Sequence, residues 1–279
     1  METKMRHLKS LEEFRIVNEQ LFKDGEALMK LLSGGKLQDS PVEGSLAIKG
    51  GSISGDKAKN AQAVINSMNK HGIKNPYTQK AILGVIGKEC GFMPQNETSY
   101  SNTSSARIRS IFGERVSKMT DAQIDQLKKN DEAFYNYLYG GRYGNAPNEG
   151  YKYRGRGFNG ITFKGVYQKM QNLLDKIGKL DRKVDIVANP DVINDIDVAA
   201  ETVVLYFLDR ASNPSIYKKY GVKDLNGFKD EETAVKAMVH ANAGWGANMN
   251  SPFLVTNLNK AKEMAQQFSI ADLGQNNLA

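Results

Sequence analysis

Residues 75–102 read NPYTQKAILGVIGKECGFMPQNETSYSN, and the fold turns on what this stretch forms. Asn75 followed by Pro76 is a helix start. An asparagine side chain caps free N–H groups, and proline suits the first helical position because it has no N–H to leave unpaired. Ile82, Val85 and Ile86 then mark an apolar face at helical spacing. Gly91 supplies the left-handed position at which helices end. The spacing predicts a helix over 76–89, with Glu89 in its last turn on the apolar side. Glu97 follows among polar neighbours in QNETSYSN, which reads as a loop.

Two carboxyls in unlike surroundings suggest acid–base chemistry. At Glu89, burial and the negative end of the helix both favour the protonated form, which a general acid requires. At Glu97, polar surroundings favour the ionised form, which a base requires. The competing reading is a surface glutamate at a helix end and a loop glutamate without a role. Spacing alone does not separate the two.

Outward from this stretch the pattern is helical. Segments 57–71, 121–129, 131–139, 164–176, 197–211, 231–241 and 256–267 carry helical periodicity, and Thr120 with Gln123 forms a capping box. The stretch 140–163, rich in Gly, Tyr and Asn, reads as loops or a small hairpin. Near the N-terminus, Ser10 with Glu13 is another capping box. Phe14, Val17, Leu21, Leu28 and Leu32 then fall on one face, so residues 1–32 are expected as an amphipathic helix. It packs on its own domain, or it docks another copy or a partner. Residues 33–55, rich in Gly and Ser, read as a flexible connector with a short strand in SLAI, and 56–279 as the main domain.

Composition excludes several classes. With 40% hydrophobic and 25% charged residues the 279-residue chain is ordinary for a globular protein. Its formal net charge of +7 suits polyanionic partners without choosing among them. One cysteine, Cys90, makes no internal disulfide. The three histidines, His7, His71 and His240, are far apart, with no HExxH. There is no P-loop. METKMRHLKSLEEF has no apolar core of a signal peptide, and no run approaches a membrane span.

The ordered series GKECGF, NETSYSN, RIRSIFG, YGGRYGN, EGYKYRGRGFNGITFKGVY and HANAGWG resembles glycoside hydrolase family 19, the chitinase-like family that includes many bacteriophage endolysins. The resemblance covers roughly residues 57–268. It implies a mainly α, lysozyme-like catalytic domain in which Glu89 is the general acid and Glu97 the base that activates water, with inversion. It implies that Thr162 holds that water, and that Tyr100, Ser101, Tyr153, Arg156, Asn242 and Trp245 contact the sugar. Metal and organic cofactors are not required by this chemistry. There are departures. Gly160 stands for the family's glutamine, Val166 for an asparagine, and Lys88 for the histidine before the acid.

YKYRGRGFNG, residues 151–160, is also compatible with a nucleic-acid tether. RGRG occurs once, however, inside a patterned domain, and no nucleic-acid partner is expected. Tyr151, Tyr153 and Phe158 instead offer flat faces for a sugar ring. Cys90 beside Glu89 reads as packing, and the two N-x-S/T triplets at Asn96 and Asn102 read as chance. The resemblance implies a peptidoglycan-degrading glycosidase acting on β-1,4 bonds between N-acetylmuramic acid and N-acetylglucosamine. It would be held in the host cytoplasm until release to the wall, or carried in the phage particle, with residues 1–50 for self-association or a virion component and no membrane insertion. The alternatives are a chitinase with the same chemistry, and a virion structural or wall-binding protein with weak or lost activity.

Overall fold

Asn75 caps the helix that organises the molecule. In the computed structural model, which describes residues 36–42, 44–211, 218–244 and 247–271, helix Pro76–Cys90 starts where the side-chain oxygen of Asn75 accepts from the N–H groups of Tyr77 and Thr78. It ends at Gly91 in the left-handed conformation, φ 60° and ψ 33°. The described residues are mainly helical, 54% helix and 4% strand, with a small two-stranded sheet. This is compatible with the α-rich, lysozyme-like expectation.

In chain order the elements used below are β1 (Ser45–Ile48), α1 (Gly55–Lys70), α2 (Pro76–Cys90), α3 (Ser105–Phe112), α4 (Asp121–Leu127), α5 (Asp131–Tyr139), α6 (Lys164–Ile177), α7 (Ile196–Ala211), α8 (Glu231–Ala243), α9 (Pro252–Ala265) and β2 (Phe268–Ala271). The helices expected from periodicity are all present, with ends shifted by a few residues. Short α3 was not expected. Its eight residues carry only Ile108, Ile111 and Phe112 as apolar anchors, but Ser104 caps it through the N–H of Arg107. Helix α9 starts at Pro252, behind a Ser251 cap, four residues before the expected start. This is the same cap-then-proline signal as at Asn75.

The expected one-sided helix over 76–89 is buried on every side. Thr78, Gln79 and Lys80 are buried along with Ile82, Val85 and Ile86. Each buried polar group has a partner, as it must. Gln79 Nε2 donates to Asn69 Oδ1 and to the carbonyl of Ile73, each at 2.7 Å. Lys80 forms an ion pair with Glu231 in the first turn of α8. Helices α8 and α9 pack directly on α2. The approach of α9 is close enough that a Cβ on Gly84 would lie 2.4 Å from the carbonyl oxygen of Ala261.

Two hydrophobic clusters result. The larger draws on α1, α2, α6, α7, α8, α9 and β2. The smaller is aromatic and is built from Tyr100, α3, α4, α5 and Phe163, with edge-on contacts such as Tyr100–Phe112 at 5.2 Å. Strand β1 pairs antiparallel with β2, Ser45 opposite Ala271 and Ile48 opposite Phe268. Leu37, Leu46 and Ile48 pack against the larger cluster, and the backbone N–H of Gln38 donates to Asp224 at 2.7 Å. The described part of 33–55 is therefore attached to the domain and does not hang free as a connector. The expected helix at 1–32 lies outside the described residues. Among those described, no helix is long and apolar enough to cross a membrane.

Gly84→Ala should destabilise the protein by about 1–3 kcal/mol, because the added methyl meets backbone that cannot step aside. Gly50→Ala, where an added Cβ meets nothing within 4 Å, should stay within about 0.5 kcal/mol. Thermal melts of the two variants test this; equal midpoints would contradict the close α2–α9 packing.

Candidate active site

Glu89 sits in the last turn of α2, with its side chain 19% exposed. Two donors converge on its Oε1. Lys88 forms an ion pair with it, and Asn242 Nδ2, near the end of α8, donates at 2.8 Å. Asn242, expected as a sugar contact, is brought by the fold onto the expected acid. Among the described residues no hydrogen bond engages Oε2. Lys88, the residue before Glu89, thus sets a cation directly against the expected acid.

The chain turns sharply after Glu89. Gly91 and then Phe92 take φ 60° and 63°. A left-handed non-glycine residue costs about 1–2 kcal/mol. Here full burial of the Phe92 ring, edge-on to Phe268 at 5.8 Å, offsets that cost. Asn60 Nδ2 adds a 2.8 Å bond to the Phe92 carbonyl. The chain then runs beside residues 155–157. Gln95 N–H donates to the carbonyl of Gly157 at 3.4 Å, and Glu97 N–H to that of Gly155 at 2.7 Å.

Glu97 is not in the polar, open loop that its neighbours suggested. Its residue is 4% exposed. Its Oε1 accepts from the phenols of Tyr139 at 2.8 Å and Tyr100 at 3.2 Å, and its Oε2 from the N–H of Gly155 at 3.1 Å. A buried carboxylate needs such donors. Burial, reinforced by the charge of Glu97, pushes both phenols well above the usual tyrosine range, so both remain donors at neutral pH.

The expected hairpin is present within 153–163. Arg156 and Ile161 exchange both backbone bonds, at 3.1 and 2.9 Å. The bridge is isolated, and the next bond, from the N–H of Phe163 to the carbonyl of Tyr153 at 2.8 Å, is one residue out of its register. The N–H and carbonyl of Gly155 are both taken by Glu97. Glu97 and Gly155 thus lie on adjacent segments, and Thr162 follows Ile161 on the returning arm. The Thr162 hydroxyl is buried and donates to the carbonyl of Gly160 at 2.8 Å, so its oxygen can accept from a water. Gly160 has φ 65°, where a glutamine side chain would be strained.

Tyr153 and Arg156 were expected to face sugar, and the structure corrects this. Tyr153 is 1% exposed, edge-on to Tyr167 at 5.3 Å, with its hydroxyl on the carbonyl of Val187. Arg156 is 2% exposed. Its guanidinium donates to Asp191, to the carbonyls of Lys152 and Arg154, and to Tyr167. Both residues hold the hairpin from beneath. Phe158 is likewise buried. Ser101 is exposed, and its N–H donates to Ser99. Tyr100 is buried behind Glu97. Trp245 lies outside the described residues.

Sequence reasoning missed Tyr139 and Gly155. Tyr139 opens the quoted YGGRYGN, but nothing local marks it as a partner of a residue 42 positions earlier. Comparison with protein-family models gives no match, and neither does comparison with curated proteins. Among the described residues no three His, Cys, Asp or Glu side chains are grouped to hold a metal ion.

Cys90 is buried, and its thiol is pushed up to about 12 by burial, with the charge of Glu89 adding to the effect. A thiol so placed is mostly protonated and shielded at pH 8. Iodoacetamide at pH 8 should therefore leave the native protein unmodified for hours and label it promptly in denaturant. Rapid labelling of the native protein would revive Cys90 as a nucleophile.

Proposed function

We propose that the chain is a peptidoglycan-degrading glycosidase that hydrolyses the β-1,4 bond between N-acetylmuramic acid and N-acetylglucosamine with inversion. The observation that carries this reading is a pair of carboxyls held in unlike surroundings. Glu89 is partly exposed at a helix end with one oxygen unengaged among the described residues. Glu97 is buried and held by two phenols and a backbone amide. Two such carboxyls support the reading of an inverting glycosidase, which needs an acid on one side of the bond and a water-activating base on the other.

This mechanism requires a proton on Oε2 of Glu89, the oxygen that Lys88 does not engage, and passes it to the glycosidic oxygen as the bond to the anomeric carbon breaks. A water attacks that carbon from the opposite face. Its proton passes to Glu97, while Thr162 accepts its second hydrogen and fixes its lone pair toward the sugar. Proton exchange with solvent then resets both carboxyls. Asn242, bonded to Oε1 of Glu89, orients the acid.

Glu89→Gln and Glu97→Gln should each lower hydrolysis of purified peptidoglycan by about 10²–10⁴-fold while keeping the melting midpoint near that of the parent. A folded variant at either position with near-parent turnover would remove that residue from the mechanism. Chitin run beside peptidoglycan separates the chitinase reading, which requires faster release from chitin.

A further inference from the structure

If Glu97 is the base, its carboxylate must be fixed while one of its lone pairs takes a proton. We propose that Tyr139, seconded by Tyr100, is the positioning residue for this base; the inference rests on the reading of Glu97 just given. Tyr139 makes the shorter of the two phenol bonds to Oε1, 2.8 Å against 3.2 Å. Its ring has no freedom to swing. It stacks on Tyr135 at 5.8 Å and meets Phe163 edge-on at 5.2 Å. Its backbone carbonyl accepts from Asn145 Nδ2 at 3.0 Å. A phenol fixed in this way locks the carboxylate to the aromatic cluster, while the Gly155 amide locks the other oxygen to the hairpin.

Among the groups that face Glu97, Tyr100 lies on its own loop, Tyr135 and Tyr139 on α5, and the Gly155 N–H on the hairpin. Arg107 acts on Tyr100 and Arg154 on Tyr135. Removing the Tyr139 hydroxyl takes away the shorter of the two phenol bonds that fix Oε1. The phenol is buried and does not touch sugar, so kcat falls and KM holds.

The test is the kinetics of Tyr139→Phe on peptidoglycan, run beside the parent, Glu97→Gln and Tyr100→Phe, with melting midpoints for each. Phenylalanine keeps the ring contacts and removes only the hydroxyl. We expect kcat to fall about tenfold to a hundredfold and KM to stay within about twofold. Tyr100→Phe should lower kcat by less, and it carries the test if Tyr139→Phe does not fold. A folded variant with parent kcat, in an assay where Glu97→Gln is dead, overturns this inference alone. A parent without glycosidase activity overturns the proposed function, and this inference with it.

Discussion

Burying a helix on every side forces its ends to be satisfied inside the protein, and that constraint governs this fold. Four N–H groups at a helix start have no partner within the helix. At α2 the fully buried Asn75 supplies one. Its Oδ1 takes the N–H groups of Tyr77 and Thr78, and its Nδ2 lies within 3.0 Å of Ser40 Oγ and of the carbonyls of Asn226 and Phe228. Asn226 repeats the device, accepting from the N–H groups of Lys74 and Asn75 and donating to the carbonyls of Gln38 and Gly72. Two amides thus clamp α2 to the segments on either side of it. Leaving such a polar group unpaired costs about 1–3 kcal/mol, so the register of α2 is fixed. With it is fixed the position of Glu89, fourteen residues along.

The two carboxyls are anchored to different parts of the molecule. Glu89 is delivered by the central helix of the larger cluster and held by Asn242 of α8. Glu97 is tied by Tyr100 and Tyr139 to the smaller aromatic cluster, and by Gly155 to the hairpin. The left-handed pair at Gly91 and Phe92 joins the two regimes. Strain in that turn is held by the burial of Phe92, so both the packing of β2 and the close approach of Gly87 to the Phe92 ring act indirectly on where Glu97 begins.

Legibility in the sequence followed the range of the interactions. Caps, prolines and periodicity are local, and they placed α2, α4, α5, α6 and α7 within a few residues. The starts of α3 and α9 carry the same local signal, a serine cap; α3 has few apolar residues behind it, whereas Ser251–Pro252 is followed directly by Phe253, Leu254 and Val255 and was legible. The all-round burial of α2 was hidden because Thr78, Gln79 and Lys80 look like a solvated face; only their distant partners make them core. Glu89 was readable from its own helix. The surroundings of Glu97 were not, since a polar loop sequence gives no sign of phenols supplied by other segments. Tyr153 and Arg156 misled for the opposite reason: an aromatic and an arginine suit a binding surface, but here their polar ends are satisfied internally.

We propose that these two carboxyls cut a glycan, and digestion of purified peptidoglycan by the full chain tests this, with products identified by mass and the anomer of the fresh reducing end followed by NMR. Muropeptides ending in reducing N-acetylmuramic acid, first appearing as the inverted anomer, are expected. Cleavage confined to the peptide stems, a retained anomer, or an intact polymer would contradict it.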